Sequence, residues 1–137
     1  MGSDAENKRV ICEVIEKVLN QGQLDIVADY FSADLVEHDP HQATSEDPIE
    51  AFKAAVTAFR SAFPDSQMMV EDQVAEAGRV ATRWQMRGTH LGEFMGIEAS
   101  GRAVEIEGIF FDRLENGRIV ETWASYDLHG LLQQLHD

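Results

Sequence analysis

Residues 102–126, RAVEIEGIFFDRLENGRIVETWASY, contain two runs in which apolar and polar side chains alternate, with Asn116-Gly117 between them. Alternation with a period of two is typical of a β-strand that buries one face. An Asn-Gly pair tolerates positive φ at both positions, which the tight turn of a hairpin requires. We therefore predict two antiparallel strands, over 102–114 and 118–126.

Working back towards the N-terminus, the same alternation predicts strands over 68–76 and 79–89, joined by a turn at Ala77-Gly78. In the residues before Pro64, apolar side chains recur with the period of a helix. Asp47 as N-cap, followed by Pro48 at the first helical position, predicts a helix that runs to Pro64.

Two earlier stretches, 10–19 and 24–31, also repeat apolar residues at helical spacing, and a short extended segment at 35–40 ends at Pro40. A last helix is predicted over 127–135. Helices followed by a meander of strands define the α+β class. We expect a curved antiparallel sheet covered by the N-terminal helices, with a short C-terminal helix and a pocket between the layers.

Composition narrows the class of protein further. The chain has 137 residues and a mass of 15.3 kDa, which suits one domain spanning 1–137. A formal net charge of −14 disfavours nucleic acid and membrane partners. With Cys12 as the single cysteine, no disulfide is expected, and the polar N-terminus predicts a cytoplasmic location.

Known catalytic motifs are missing from the sequence. It contains no Gly-x-Ser-x-Gly, no phosphate-binding glycine loop, no dinucleotide fingerprint and no His-x-x-x-His pair. The closest metal-like spacing, 38–41, is constrained by Pro40, so neither a metal nor a cofactor is expected. Acid–base chemistry without a cofactor, or ligand binding alone, remains.

Asp127 is the first candidate for acid–base chemistry. Trp123 shares its strand parity with Ile119 and Asp127, so we expect Trp123 to face the core and Asp127 to emerge at the pocket rim. Burial would raise the pKa of such a carboxyl group and make it a usable acid or base. The alternative is that Asp127 only caps the last helix.

His38 and His90 are the second candidates, because a neutral imidazole near pH 7 can accept or donate a proton. The alternative is that their hydrogen bonds are structural. We expect four aromatic residues to form the apolar, substrate-binding wall of the pocket: Trp84, Trp123, Phe59 and Phe110.

A family resemblance lies in several ordered motifs: GTHLGEFMGI at 88–97, SGR at 100–102, Arg113, and NGRIVETW at 116–123 followed by Asp127. The chain resembles the SnoaL-like polyketide cyclase (ester cyclase) family, which has the nuclear transport factor 2 superfold. The resemblance implies a cone-shaped α+β barrel with a hydrophobic interior, often dimeric through its sheet.

For activity, the resemblance implies the intramolecular aldol ring closure of a polyketide methyl ester, without a cofactor and with an aspartate as acid and base. The position that matches this aspartate in the Trp-x-x-x-Asp motif is Asp127, and His38 and His90 fall at pocket-lining positions. We therefore expect cyclisation or isomerisation of a small apolar carbonyl compound by a homodimer. The alternative is a non-catalytic ligand-binding or assembly module of the same fold.

Overall fold

The computed structural model describes residues 2–39 and 47–136. Its elements, in chain order, are α1 (Asp4–Glu13), a π-helical segment (Val14–Asn20), a 3₁₀ turn (Leu24–Ile26), α2 (Val27–Tyr30), β1 (Phe31–His38), α3 (Pro48–Ala62), β2 (Gln67–Glu76), β3 (Arg79–Thr89), β4 (Ala103–Glu115), β5 (Arg118–Tyr126) and α4 (Leu128–His136). Pro40, predicted to end the extended segment, lies outside the described residues. No helix in the described ranges is long and apolar enough to cross a membrane.

The five strands form one mixed sheet in the order β1-β5-β4-β3-β2. The predicted α+β class is confirmed. Neighbouring strands are antiparallel, as predicted, except that β1 pairs with β5 in parallel. The segment predicted only as briefly extended is thus an edge strand, and the sheet stays open between β1 and β2.

Local signals in the sequence set the element boundaries. The side chain of Asp47 accepts a hydrogen bond from the backbone N–H of Glu50 at 3.2 Å, which satisfies one otherwise unpaired donor in the first turn of α3. At the β4–β5 turn Asn116 and Gly117 adopt φ of 51° and 78°, as the hairpin prediction requires.

An extra residue in β5 decides which side chains face inward. Arg113 pairs with Glu121 while Leu114 pairs with Ile119, so Val120 has no partner in β4 and forms a bulge. A bulge reverses the alternation on either side of it. Ile119 and Thr122 therefore share the inner face, although simple alternation assigns them to opposite faces.

The helices cover the inner face of the sheet and enclose two apolar clusters. One joins α1, the π-helical segment and the start of β1 to residues such as Val80 and Ile119. The other surrounds Phe63, Trp84 and Leu131 under α4. Between the two clusters, a gap lies between the helices and the sheet.

Candidate active site

A cavity of about 380 Å³ occupies the space between the layers. This is within the size range of pockets that bind drug-sized ligands. The sheet supplies one wall through inward-facing residues of β3, β4 and β5, and the helices supply the other. Most of the lining is apolar, and it includes Ile11, Val14, Ile15, Leu19, Phe52, Phe59, Trp84, Met86, Ile106, Phe110 and Ala124.

Asp112 is the buried acid of this cavity, with only 4% of its surface exposed. Burial raises the pKa of its carboxyl group from 3.8 to about 7, and a hydrogen bond with Thr122 opposes that rise. At neutral pH this group is therefore divided between its protonated and ionised forms. A carboxyl group in that state can both accept and return a proton.

The sheet register explains why Asp112 and Thr122 meet. Asp112 lies opposite Thr122, and Thr122 lies opposite Glu37 of β1, so all three belong to one row across the inner face. All three line the cavity. Adjacent strands lie about 4.8 Å apart, which puts the backbones of Asp112 and Glu37 about 10 Å apart.

A second polar group lies further along β5. Tyr126 is four residues beyond Thr122, a distance of about 13 Å along a strand. Burial, the charge of Asp39 and a hydrogen bond to Asp39 raise the pKa of Tyr126 to about 12, with a further contribution from the charge of Glu37. Tyr126, Asp39 and Glu37 all line the cavity.

Trp84 forms part of the wall beside Tyr126, because both residues lie opposite Gly108 in the sheet. Its indole ring lies over Gly108, where a Cβ atom would come within 2.2 Å of the ring. The ring centroids of Trp84 and Tyr126 are 6.4 Å apart. The indole Nε1 is buried and has no hydrogen-bond partner among the residues that the structure describes.

The structure places three of the four predicted wall residues, Trp84, Phe59 and Phe110, on the cavity. Their contact with a ligand stays a prediction. The expected inward placement of Trp123 is wrong, because the bulge at Val120 turns it to the outer face of the sheet, where 36% of its surface is exposed.

His38 is also on the outer face rather than in the cavity. Its ring stacks on Trp123 at 4.9 Å between centroids, and its Nε2 is 2.8 Å from a carboxylate oxygen of Glu121. The hydrogen bond with His38, followed by the hydrogen bond and the charge of Arg113, holds the pKa of Glu121 below its ordinary value. The outward-facing position of His38 on β1 leaves Glu37 as the residue that turns inward.

Asp127 does not reach the cavity either, so its expected position at the pocket rim is wrong. It is exposed, and its Oδ1 accepts a hydrogen bond from the backbone N–H of Gly130 at 2.8 Å. This is the N-cap geometry of α4. Gly130 suits the position because a Cβ there would come within 2.2 Å of the Asp127 carboxylate.

His90 is fully buried but is not among the residues that line the cavity. Its Nδ1 accepts a hydrogen bond from the backbone N–H of Ser100 at 3.1 Å, and its backbone N–H donates to the carbonyl of Arg102. His90 therefore ties together the two ends of the loop between β3 and β4. The structure does not bring Asp127, His38 and His90 into one site.

Asp112 was not predicted as a site residue, although its place in the strand pattern is unusual. Asp112 has the same strand parity as Val104, Ile106, Phe110 and Leu114, so it is an acidic residue in the apolar register of β4. Carboxylates are rarely buried without a partner or a function. Among residues 2–39 and 47–136, no cluster of three or more His, Cys, Asp or Glu could hold a metal ion.

Comparison with known proteins agrees with this architecture. Residues 9–135 match the model of the SnoaL-like polyketide cyclase family, and the chain belongs to that family. It is 31% identical over 115 residues to the aklanonic acid methyl ester cyclase DnrD of Streptomyces peucetius, covering 78% of this chain and 77% of DnrD.

Solved structures give the same result. The crystal structure of IdmH from Streptomyces antibioticus has a TM-score of 0.84 and 32% identity, covering 96% of this chain and 99% of IdmH. AclR from Streptomyces galilaeus, proposed to be a hydroxylase, has a TM-score of 0.86 and 30% identity, covering 97% of this chain and 82% of AclR.

Proposed function

We propose that the protein is a cofactor-free cyclase or isomerase that uses Asp112 as its acid and base on a small apolar carbonyl compound. One observation carries the proposal. A single carboxyl group with a pKa of about 7 is buried in the wall of a cavity whose lining is mostly apolar. A base with a pKa near the working pH is the most effective for proton transfer at carbon.

The reaction that suits this site is an intramolecular aldol addition. Ionised Asp112 removes a proton from the carbon next to a carbonyl group, and the electrons of that C–H bond form an enolate. The enolate carbon then attacks a second carbonyl carbon of the same molecule, which forms a C–C bond and an alkoxide. The proton returns from Asp112 to the alkoxide, so the product is an isomer of the substrate.

The apolar wall supports this chemistry in a second way. Ionised Asp112 has few polar neighbours other than Thr122, so the carboxylate is a stronger base than it would be in water. An apolar substrate that fills the cavity would displace its water and so prevent protonation of the enolate by solvent before ring closure. The substrate therefore needs an apolar body that fills the cavity.

Aklanonic acid methyl ester is the first compound to test, because the relative DnrD is named for cyclising it. We expect a product of unchanged mass and a new chromatographic retention time. Asp112→Asn should lower kcat/KM by about 100- to 10,000-fold, the usual contribution of a general base. Asp127→Asn, which keeps the cap of α4, is the matched control and should retain turnover.

Mass spectrometry of the same reaction also separates the rival possibilities. A product heavier by one oxygen atom would indicate hydroxylation, the activity proposed for AclR. Saturable binding without any product, for this ester and for simpler diketones, would favour the non-catalytic binding module. Full turnover by Asp112→Asn would refute Asp112 as the base.

A further inference from the structure

The loop between β3 and β4 contains a tight turn that borders the cavity. Met95 and Gly96 adopt φ of 48° and 83°, and Phe94 and Ile97 exchange two backbone hydrogen bonds of 2.9 Å across them. This is a two-residue hairpin turn with positive φ at both central positions. Phe94 and Met95 both line the cavity, and Met95 is 61% exposed. The cavity therefore reaches the surface beside Met95.

Methionine is an unusual residue for such a turn. The turns at Ala77-Gly78 and Asn116-Gly117 have nearly the same geometry, with φ of 53° and 78° and of 51° and 78°. Neither of them contains a residue that lines the cavity. Asparagine tolerates positive φ, whereas a long apolar side chain is strained there. Strain of this kind is concentrated where a side chain serves function, so the side chain of Met95 points to a role at the cavity.

Contacts at the base of the loop fix the position of this turn. The backbone N–H groups of Leu91 and Gly92 donate to the carbonyl of Ala62, the last residue of α3, at 2.9 and 3.1 Å. The ring of Phe94 meets that of Phe59 edge-on, with 6.1 Å between centroids. Because the loop is held against α3 in this way, Met95 is placed next to an aromatic part of the cavity wall.

Met95 and Asp112 belong to different ends of the cavity. Phe94 packs against the apolar cluster that contains Ile106, whereas Asp112 lies opposite Val80, which belongs to the other cluster. Ile106 and Asp112 both line the cavity and are six residues apart in β4, about 20 Å along a strand. A ligand that contacts both Met95 and Asp112 is therefore extended.

We propose that Met95 binds an aromatic ring of the ligand at the open end of the cavity. The thioether of methionine makes favourable contacts with aromatic rings, and its unbranched side chain adapts to rings of different shape. The ligand then carries a flat ring at the end far from its reacting carbonyl group. This inference rests on the proposed function only for the end at Asp112, because the contact with Met95 can be tested by binding alone.

Dihydroxynaphthacenequinone, a flat diketone of four fused rings, is a probe long enough to extend from the interior to the open end. Calorimetry on the full chain should give a Kd for Met95→Asn about tenfold higher than for wild type, because an apolar contact is lost. The thermal unfolding temperature of Met95→Asn should not fall, since asparagine suits positive φ. Met95→Leu keeps an apolar side chain of similar size, and its Kd should stay within about threefold of wild type.

Two control variants separate this contact from effects on the turn and on the loop. Ala77→Asn introduces the same residue at the same position of a turn that does not border the cavity. Leu91→Asn removes an exposed apolar side chain of the same loop that does not line the cavity. Both variants should bind the quinone with the wild-type Kd.

The outcomes distinguish this proposal from the proposed function. Asp112→Asn should lose turnover and keep its affinity for the quinone, whereas Met95→Asn should raise KM and leave kcat within about threefold of wild type. Quinone binding that depends on Met95, without turnover of any compound, would support the contact and count against the cyclase. Failure of the wild-type protein to bind the quinone, an unchanged Kd for Met95→Asn, or an equal loss of affinity in Leu91→Asn would overturn the contact.

Discussion

At the scale of single residues, the properties of Asp112 follow from its surroundings. The folded chain holds the Asp112 proton more tightly than the unfolded chain does, because the pKa of Asp112 is about 7 in the folded chain and about 3.8 in the unfolded chain. The stability gained from this difference is complete below about pH 4 and is lost as the pH rises through 7. Above pH 7 the folded protein carries a buried charge.

Replacing that carboxyl group with an amide removes the pH dependence. The free energy of unfolding of Asp112→Asn, relative to wild type, should rise between about pH 5 and about pH 8.5 by at most about 3 kcal/mol. Urea unfolding at both pH values measures it. Asp34→Asn, at an exposed aspartate of β1, should show no such rise. If the difference in the free energy of unfolding between Asp112→Asn and wild type does not change with pH, Asp112 is not a buried ionisable group.

Thr122 affects the pKa of the Asp112 carboxyl group. Its hydrogen bond lowers the pKa of Asp112 and partly offsets the effect of burial. Once a substrate is known, kcat/KM should rise through about pH 7 as Asp112 ionises and then level off. Thr122→Val, which keeps the shape of the side chain, should move that midpoint upwards by about one pH unit. An unchanged midpoint, together with a lower kcat/KM at every pH, would mean that Thr122 acts only through packing.

Asp127 has a structural role that can be measured separately. Alanine at this position removes the acceptor for the Gly130 N–H and should lower the free energy of unfolding by about 1 kcal/mol. Asparagine, itself a good N-cap, should cost much less. The two variants should have wild-type affinity for cavity ligands, since Asp127 does not line the cavity. Weaker ligand binding by Asp127→Asn would return Asp127 to the list of site residues.

At the scale of elements, the sequence was sufficient to predict the strands and the main helix, because caps, turns and periodicity act over a few residues. The predicted strands 79–89 and 118–126 coincide with β3 and β5. The sequence was not sufficient to predict which face of the sheet each side chain of β5 occupies. The bulge at Val120 arises from pairing with β4, and no local pattern marks it. This one residue accounts for the wrong placement of Trp123.

Substitution of Gly108 tests how tightly the indole of Trp84 packs against β4. A methyl group at this position would overlap the indole of Trp84, which packs against β4. Gly108→Ala should therefore lower the free energy of unfolding by about 1–3 kcal/mol and shift the fluorescence of Trp84. Gly117→Ala has open space around its Cβ but a φ of 78°, so it separates backbone strain from side-chain overlap. Unchanged tryptophan fluorescence in Gly108→Ala would show that the methyl group is accommodated without displacing the indole.

At the scale of the whole molecule, the family resemblance and the order of elements indicated an α+β fold with an internal cavity, but the site within it was predicted only in part. Phe59, Trp84 and Phe110 lie on its wall because strong helical and strand patterns fix their faces. Glu37 and Asp39 were missed, because their inward position depends on the pairing of β1 with β5, which are distant in sequence. Pairing between distant strands is the information that local patterns lack.

The outer face of the sheet carries a row of exposed apolar side chains. One row across the described strands contains Val74, Ala81, Phe111, Trp123 and His38, each opposite the next. Val74, Phe111 and Trp123 are 65%, 38% and 36% exposed, and the rings of Phe111 and Trp123 are in contact at 5.6 Å between centroids. A continuous apolar stripe of this kind marks an interaction surface. We propose that it is the contact between two copies of the chain.

Light scattering at micromolar concentration should then give twice the chain mass of 15.3 kDa. Replacing both Phe111 and Trp123 with glutamate places like charges on each side of the interface and should give the mass of a single chain. Leu91→Glu, at an exposed apolar residue outside this row, should leave the dimer intact. A single-chain mass for the wild-type protein would reject the interface, and a dimer that survives the double substitution would move it to another surface.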